Sequence, residues 1–222
     1  MKNSSFTIVL LLFYTLAAMD ARGQTPSASP TPSPAAQPQV ETLVMIRHGE
    51  KPAGDLGQLT FQGLNRALAL PDVLIKKYGK ADFVFAPGTR TDVTRDGNSY
   101  SYIRPLITIE PTAIRLGLPV NAEFAFDEIA PLQKELLSPR YANALIFVAW
   151  EHIKLDLLVK NTVRDLGGDP NAVPEWPGKD FDSIFVLKIR TEGGKRTVTF
   201  QHDQEGLDGM STQEPVAMPA AK

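Results

Sequence analysis

The 222-residue chain contains no cysteine and only three histidines. The first absence excludes disulfides, cysteine-ligated zinc, iron–sulfur clusters, thiol catalysis and a lipidated cysteine anchor. The second means that histidine chemistry can be surveyed completely, at His48, His152 and His202. A surplus of one charge is missing too: 23 basic side chains face 25 acidic ones, for a formal net charge of −2. Without a basic stripe to neutralise phosphates, nucleic acid is not an expected partner. The apolar run at residues 6–19 (FTIVLLLFYTLAAM) is shorter than the roughly 20 residues a membrane-crossing helix needs, so no stable membrane span is expected. What remains is a 43% hydrophobic fraction, enough at this length for one soluble domain with a core of its own.

Lys2, the apolar run and the small residues Ala21 and Gly23 together read as a secretory signal over 1–23, cleaved before Gln24. Residues 24–39 (QTPSASPTPSPAAQPQ) carry no charge and no large apolar side chain, and they read as an extended, proline-rich linker. The protein is therefore expected in the periplasm or outside the cell. The domain proper is expected over 40–205. From Gly206 the composition turns small and polar, so 206–222 reads as a flexible tail.

Within the domain, residues 42–46 (TLVMI) predict a buried strand, followed by a helix from Thr60 in which Pro71 opens a second segment to Tyr78. Residues 82–86 (DFVFA) predict a short strand and residues up to 99 a polar loop. A helix over 100–116, an extended stretch over 120–126 and a helix over 128–138 come next. Residues 144–150 (ALIFVAW) form a continuous apolar run of the kind buried on both faces of a parallel sheet. A helix over 152–166 and a hairpin over 183–202 complete the set. The alternation argues an α/β fold: a three-layer open sheet with mostly parallel central strands, helices on both faces and an antiparallel hairpin at one edge.

In such sheets ligands bind outside the carboxyl ends of the strands, where His48 and His152 both fall. Arg47 precedes His48, and Gly49 lets the backbone approach an oxyanion closely. An always-charged, forked guanidinium beside a neutral imidazole suits a phosphoryl group, which the imidazole can attack while the guanidinium holds its oxygens. A divalent metal would be repelled by that arginine, and none is expected, although Glu50 and Glu151 lie next to the histidines. His202, at the end of the last edge strand, reads as a surface residue.

These segments resemble the histidine phosphatase superfamily, the phosphoglycerate mutase-like branch with the Arg-His-Gly motif. The likeness rests on Arg47-His48-Gly49-Glu50 after a first strand, on LTFQGLNRAL (59–68), on IRPLITIEPTAIRLGLPV (103–120) and on the late histidine, and it spans most of 42–166. The resemblance implies a metal-independent phosphatase without cofactor, acting on a small phosphorylated substrate through a phosphohistidine. It implies His48 as nucleophile, Arg47, Arg104 and His152 as phosphate ligands, and an acid after the second-arginine helix as proton donor. Glu123, Asp127 and Glu128 are in range for that role; Glu128 is preferred, with Asp127 as the alternative. The segment PGTRTDVTRDGNS (87–99) departs from the family's short turn, so Arg90 or Arg95 competes with Arg104. A phosphomutase and a non-catalytic phospholigand-binding protein are the rival readings, and no partner protein is implied.

Overall fold

The computed structural model describes residues 37–54, 56–95 and 97–215. The expected signal, most of the expected linker and the last seven residues lie outside the described residues.

The apolar run at 42–46 is the centre of strand β1 (Gln39–Arg47), which pairs parallel to β6 (Leu145–Trp150) and antiparallel to β7 (Ser183–Glu192). Strand β6 pairs parallel to β2 (Phe83–Phe85), and β2 to β5 (Val120–Asn121). At the other edge β7 and β8 (Lys195–Gln204) form the antiparallel hairpin, giving the order β5-β2-β6-β1-β7-β8. The sheet is thus the mixed, mostly parallel one that the alternation of strands and helices implies.

Side-chain alternation builds the three layers. Leu43 and Met45 of β1 and Ile146, Val148 and Trp150 of β6 pack against α3 (Ile129–Leu136) and α4 (His152–Asp165). Val44, Ile46, Phe147 and Ala149 point the other way, against α1 (Phe61–Tyr78) and α2 (Arg104–Leu116). Both faces are buried, which is why β1 and β6 are continuously apolar.

Four expectations need correction. Helix α1 runs unbroken through Pro71, because Leu70, Pro71 and Leu74 are buried on its inner face and this burial outweighs the missing N–H bond. The expected polar loop before residue 99 contains a hairpin, β3 (Asp92–Arg95) with β4 (Asn98–Ser101). Helix α2 accordingly begins at Arg104 rather than 100, with Pro105 in its first turn, where a missing N–H costs nothing. Residues 206–213 do not hang free: the amides of Gly206 and Leu207 donate to Asp182, and Asn65 Nδ2 donates to the carbonyls of Ser211 and Gln213.

Candidate active site

The pairing register places Arg47 opposite Trp150, so β1 and β6 end level with each other. His48 N donates to the Trp150 carbonyl (3.0 Å), extending the ladder by one bond, and the two strands deliver His48 and the pair Glu151-His152 to one edge of the sheet. His48 is 2% exposed, and its Nδ1 lies 2.7 Å from the Gly49 carbonyl. A carbonyl only accepts, so Nδ1 carries the proton and Nε2 keeps a free lone pair. Burial, reinforced by the charges of Arg104 and Arg47, pulls the imidazole pKa down to about 3, against the opposing pull of the Gly49 bond and Glu151. At any physiological pH the His48 imidazole is therefore neutral, with the Nε2 lone pair able to attack an electrophile.

The turn after His48 is held from two sides. Gly49 N donates to Thr108 Oγ1 (3.0 Å), whose hydroxyl donates to the Arg104 carbonyl (2.8 Å), tying the turn to the first residue of α2. On the other side it rests on the start of α1, where a Cβ on Gly63 would come within 2.4 Å of the Glu50 carbonyl. A Cβ on Gly49 would meet the Gly63 backbone at 2.9 Å. Glycine at both positions is what allows this approach.

Arg47 and Arg104 are buried beside His48, close enough for each guanidinium to act on the other and on the imidazole. Arg47 Nη1 donates to the carbonyls of Gly178 (2.9 Å) and Asp180 (2.8 Å), and its guanidinium carbon lies 3.9 Å over the Phe181 ring. Burial lowers the Arg47 pKa, yet Glu151 and Asp180 nearby help it stay charged. Arg104 stacks on Tyr102 at 4.5 Å. Two like charges held this close in a buried setting are a receptacle for a multiply charged anion.

His152 opens α4, and a Cβ on Gly178 would be 3.7 Å from its Nε2, which sets His152 beside the segment that grips Arg47. Its Nδ1 lies 2.7 Å from Glu151 Oε1, an ion-pair distance, though out of line for a hydrogen bond. Burial would raise the Glu151 carboxyl, but His152 and the amides of Lys154 and Ile153 bring it down to about 2, so it adds a fixed negative charge felt by both Arg47 and His48.

The candidate acids lie on the segment before α3. Glu123, Asp127 and Glu128 are all exposed. Glu128 Oε2 accepts from Ala125 N (2.7 Å) and is 4.0 Å from Arg90 Nη2. Arg90 also donates to the Glu123 carbonyl, so it stands with the acids rather than with Arg47 and Arg104. The Arg95 side chain lies outside the described residues. Phe126 connects this segment to the histidine: its carbonyl accepts from Trp150 Nε1 (2.8 Å), and its ring is 5.3 Å from Tyr102, itself 6.1 Å from His48.

No protein-family model and no curated protein matches the sequence. Among solved structures, the chain is similar to the SixA protein of Nakamurella multipartitia, with 18% identity over 76% of this chain and 98% of that one and a TM-score of 0.46. It is also similar to a mycobacterial glucosyl-3-phosphoglycerate phosphatase with inorganic phosphate (15% identity, 73% and 95% covered, TM-score 0.47) and to phosphoglycerate mutase from Bacillus anthracis (12%, 72% and 92%, 0.40). All three are histidine phosphatase superfamily members. At such identities the chemistry of this chain rests on its own residues.

Several residues that build the site escape a reading of the sequence. Arg66, fully buried on the inner face of α1, donates to Glu50 (2.8 Å), Asp182 (3.1 Å), Glu205 (2.5 Å) and Asp208 (3.1 Å). Burial, together with Asp182 and Glu50, pushes the Glu205 carboxyl up to about 8 in spite of Arg66. The signal was present: Gly63, Arg66, Ala67, Leu70 and Leu74 recur at helical spacing, with one charge on an otherwise apolar stripe. The grip of Gly178 and Asp180 on Arg47 uses main-chain carbonyls and leaves no signal. His202 is exposed on β8 as expected, but its Nε2 donates to Ser183 Oγ (2.7 Å), whose hydroxyl donates to Asp180 Oδ2 (2.5 Å). A cavity of about 460 Å³ at the β2–β5 edge, lined by Phe83, Leu118, Val120 and Tyr141 among others, includes neither histidine of the site and neither buried arginine.

Proposed function

We propose that the protein is a phosphatase that hydrolyses a small phosphate monoester through a phosphohistidine at His48. One observation carries the reading: a buried, neutral imidazole with its proton fixed on Nδ1 stands beside two buried guanidiniums. In the first step Nε2 of His48 forms a bond to phosphorus as the bond to the leaving oxygen breaks, and Glu128, or Asp127 next to it, gives that oxygen a proton. In the second, water attacks phosphorus and yields its proton to the carboxylate, the P–N bond breaks and phosphate leaves. Arg47 and Arg104 hold the non-bridging oxygens throughout, with His152 donating to the same group. Two guanidiniums supply the charge compensation a metal would otherwise bring, so turnover without added metal is part of the proposal. The apolar run at 6–19 and the uncharged proline-rich stretch after it support export to the periplasm or beyond.

The test is hydrolysis of an aryl phosphate in the presence of chelator by wild type, His48→Ala and Glu128→Gln. His48→Ala should abolish turnover, and Glu128→Gln should lower it by about 10²- to 10⁴-fold. Labelled phosphate should remain on wild type quenched in alkali and leave in acid. Equal rates in wild type and His48→Ala would end the proposal. Because Glu128 caps the Ala125 amide, a phospholigand-binding protein without a proton donor is the rival: it would bind phosphate and turn over nothing.

A further inference from the structure

Four aromatic rings converge on the site from three separate segments: Tyr100 and Tyr102 after the β3–β4 turn, Phe126 before α3, and Phe181 before β7. None of the four belongs to either hydrophobic core cluster; Tyr102 is itself buried, whereas Tyr100, Phe126 and Phe181 are not. Tyr102 and Phe181 each stand 6.1 Å from His48, on rings inclined at 81° and 57° to the imidazole. Phe126 packs against Tyr102, and the Arg104 guanidinium faces both Tyr102 (4.5 Å) and Tyr100 (6.0 Å). Tyr100, Phe126 and Phe181 are only half-buried, so each of these neighbours of the site keeps part of its surface accessible.

The arrangement divides the substrate in two. A phosphoryl group is met by buried positive charge, and what is attached to it is met by ring faces. A polyol or sugar would lose water from its hydroxyls there and find little to replace it, which costs binding. A flat apolar ring would instead gain offset or edge-to-face contacts. Resting on the phosphatase reading above, we propose that the site selects monoesters whose leaving group is an aromatic ring or carries one next to the ester oxygen, and that Tyr100, Phe126 and Phe181 are the residues that select it. Of these, Phe181 has a double role, since it also carries Arg47. Phe126 and Tyr100 are therefore the cleaner probes. Phe126 holds Trp150 Nε1 only through its backbone carbonyl, which a substitution leaves in place.

Binding separates recognition from leaving-group chemistry. Phenylphosphonate and methylphosphonate present the same kind of anion and differ in the ring, and neither is hydrolysed. Titration calorimetry on wild type should show phenylphosphonate binding about tenfold tighter, the order expected when a ring is placed against other rings. In Phe126→Leu and Tyr100→Leu, which keep apolar bulk and remove the ring face, the ratio should fall toward one. A wild-type ratio near one overturns this inference and leaves the phosphatase reading standing if aryl phosphate is still turned over. A ratio that stays near ten in both variants overturns the assignment to these rings. Failure of wild type to bind either phosphonate, together with failure to turn over any monoester, removes the phosphatase reading and this inference together; failure to bind with aryl phosphate still turned over removes this inference alone.

Discussion

The neutrality of His48 has a thermodynamic signature that does not depend on knowing the substrate. In the unfolded chain an imidazole titrates near 6.5; in the folded protein burial and the two arginines hold it down to about 3. Between those values the unfolded chain binds a proton that the native state refuses, so stability rises with pH and is lost as pH falls from about 6.5 toward 3. At 1.36 kcal/mol per unit, this one residue should cost about 3 kcal/mol at pH 4.5 and about 4 kcal/mol at pH 3. His48→Asn removes the titration while its amide can still donate to the Gly49 carbonyl as Nδ1 does. Every other titrating group is common to both proteins and cancels in the difference. Urea unfolding of the two proteins at half-unit steps from pH 4 to 7.5 should therefore give curves that run parallel above about pH 6.5 and diverge below it, wild type losing stability faster. Parallel curves throughout would refute the neutral-histidine account, and divergence of the opposite sign would show an imidazole that is charged in the fold.

Other outcomes follow from the surroundings of the site. Arg66→Met leaves Glu50, Asp182 and the buried Glu205 without their shared cation and should cost about 3–5 kcal/mol in denaturant unfolding. Glu205 is held up to about 8, so its contribution is present below about pH 4.5 and is lost as pH rises toward 8; Glu205→Gln should flatten that part of the stability profile. Gly63→Ala drives a Cβ to 2.4 Å from the Glu50 carbonyl and should lower both the melting temperature and the rate, whereas Gly79→Ala, where a Cβ meets nothing within 4 Å, should lower stability alone. Arg47→Lys replaces a fork that spans two carbonyls and a ring by a point charge, so KM for any phosphate ester should rise.

The sheet was legible because its central strands need burial on both faces, and 42–46 and 144–150 have no polar residue between Leu43 and Ile46 or between Leu145 and Trp150 to suggest anything else. The two histidines were legible for the same reason, as polar residues just past the ends of apolar runs. The β3–β4 hairpin was not, since among the described side chains of β3 only Val93 is buried and no alternation announces it; the Asp96-Gly97 dipeptide was its one readable sign. Arg66 could have been found as a charge on an apolar helical stripe, but its acids at 182, 205 and 208 are distant in sequence and only the fold brings them to it. The cradle of Arg47 could not have been found, because carbonyl oxygens belong to every residue alike.

That cradle also orders events in time. Arg47 lies near the start of the domain, and the carbonyls that orient it lie 131 and 133 residues later. A chain made from its N-terminus has His48 early and an oriented Arg47 beside it only once the segment at 178–182 has docked beside β1. Arg66 waits longer still for its last partners, at 205 and 208. Arg47 and Arg66 therefore acquire their partners last, and the anion site is assembled only by completion of the fold itself.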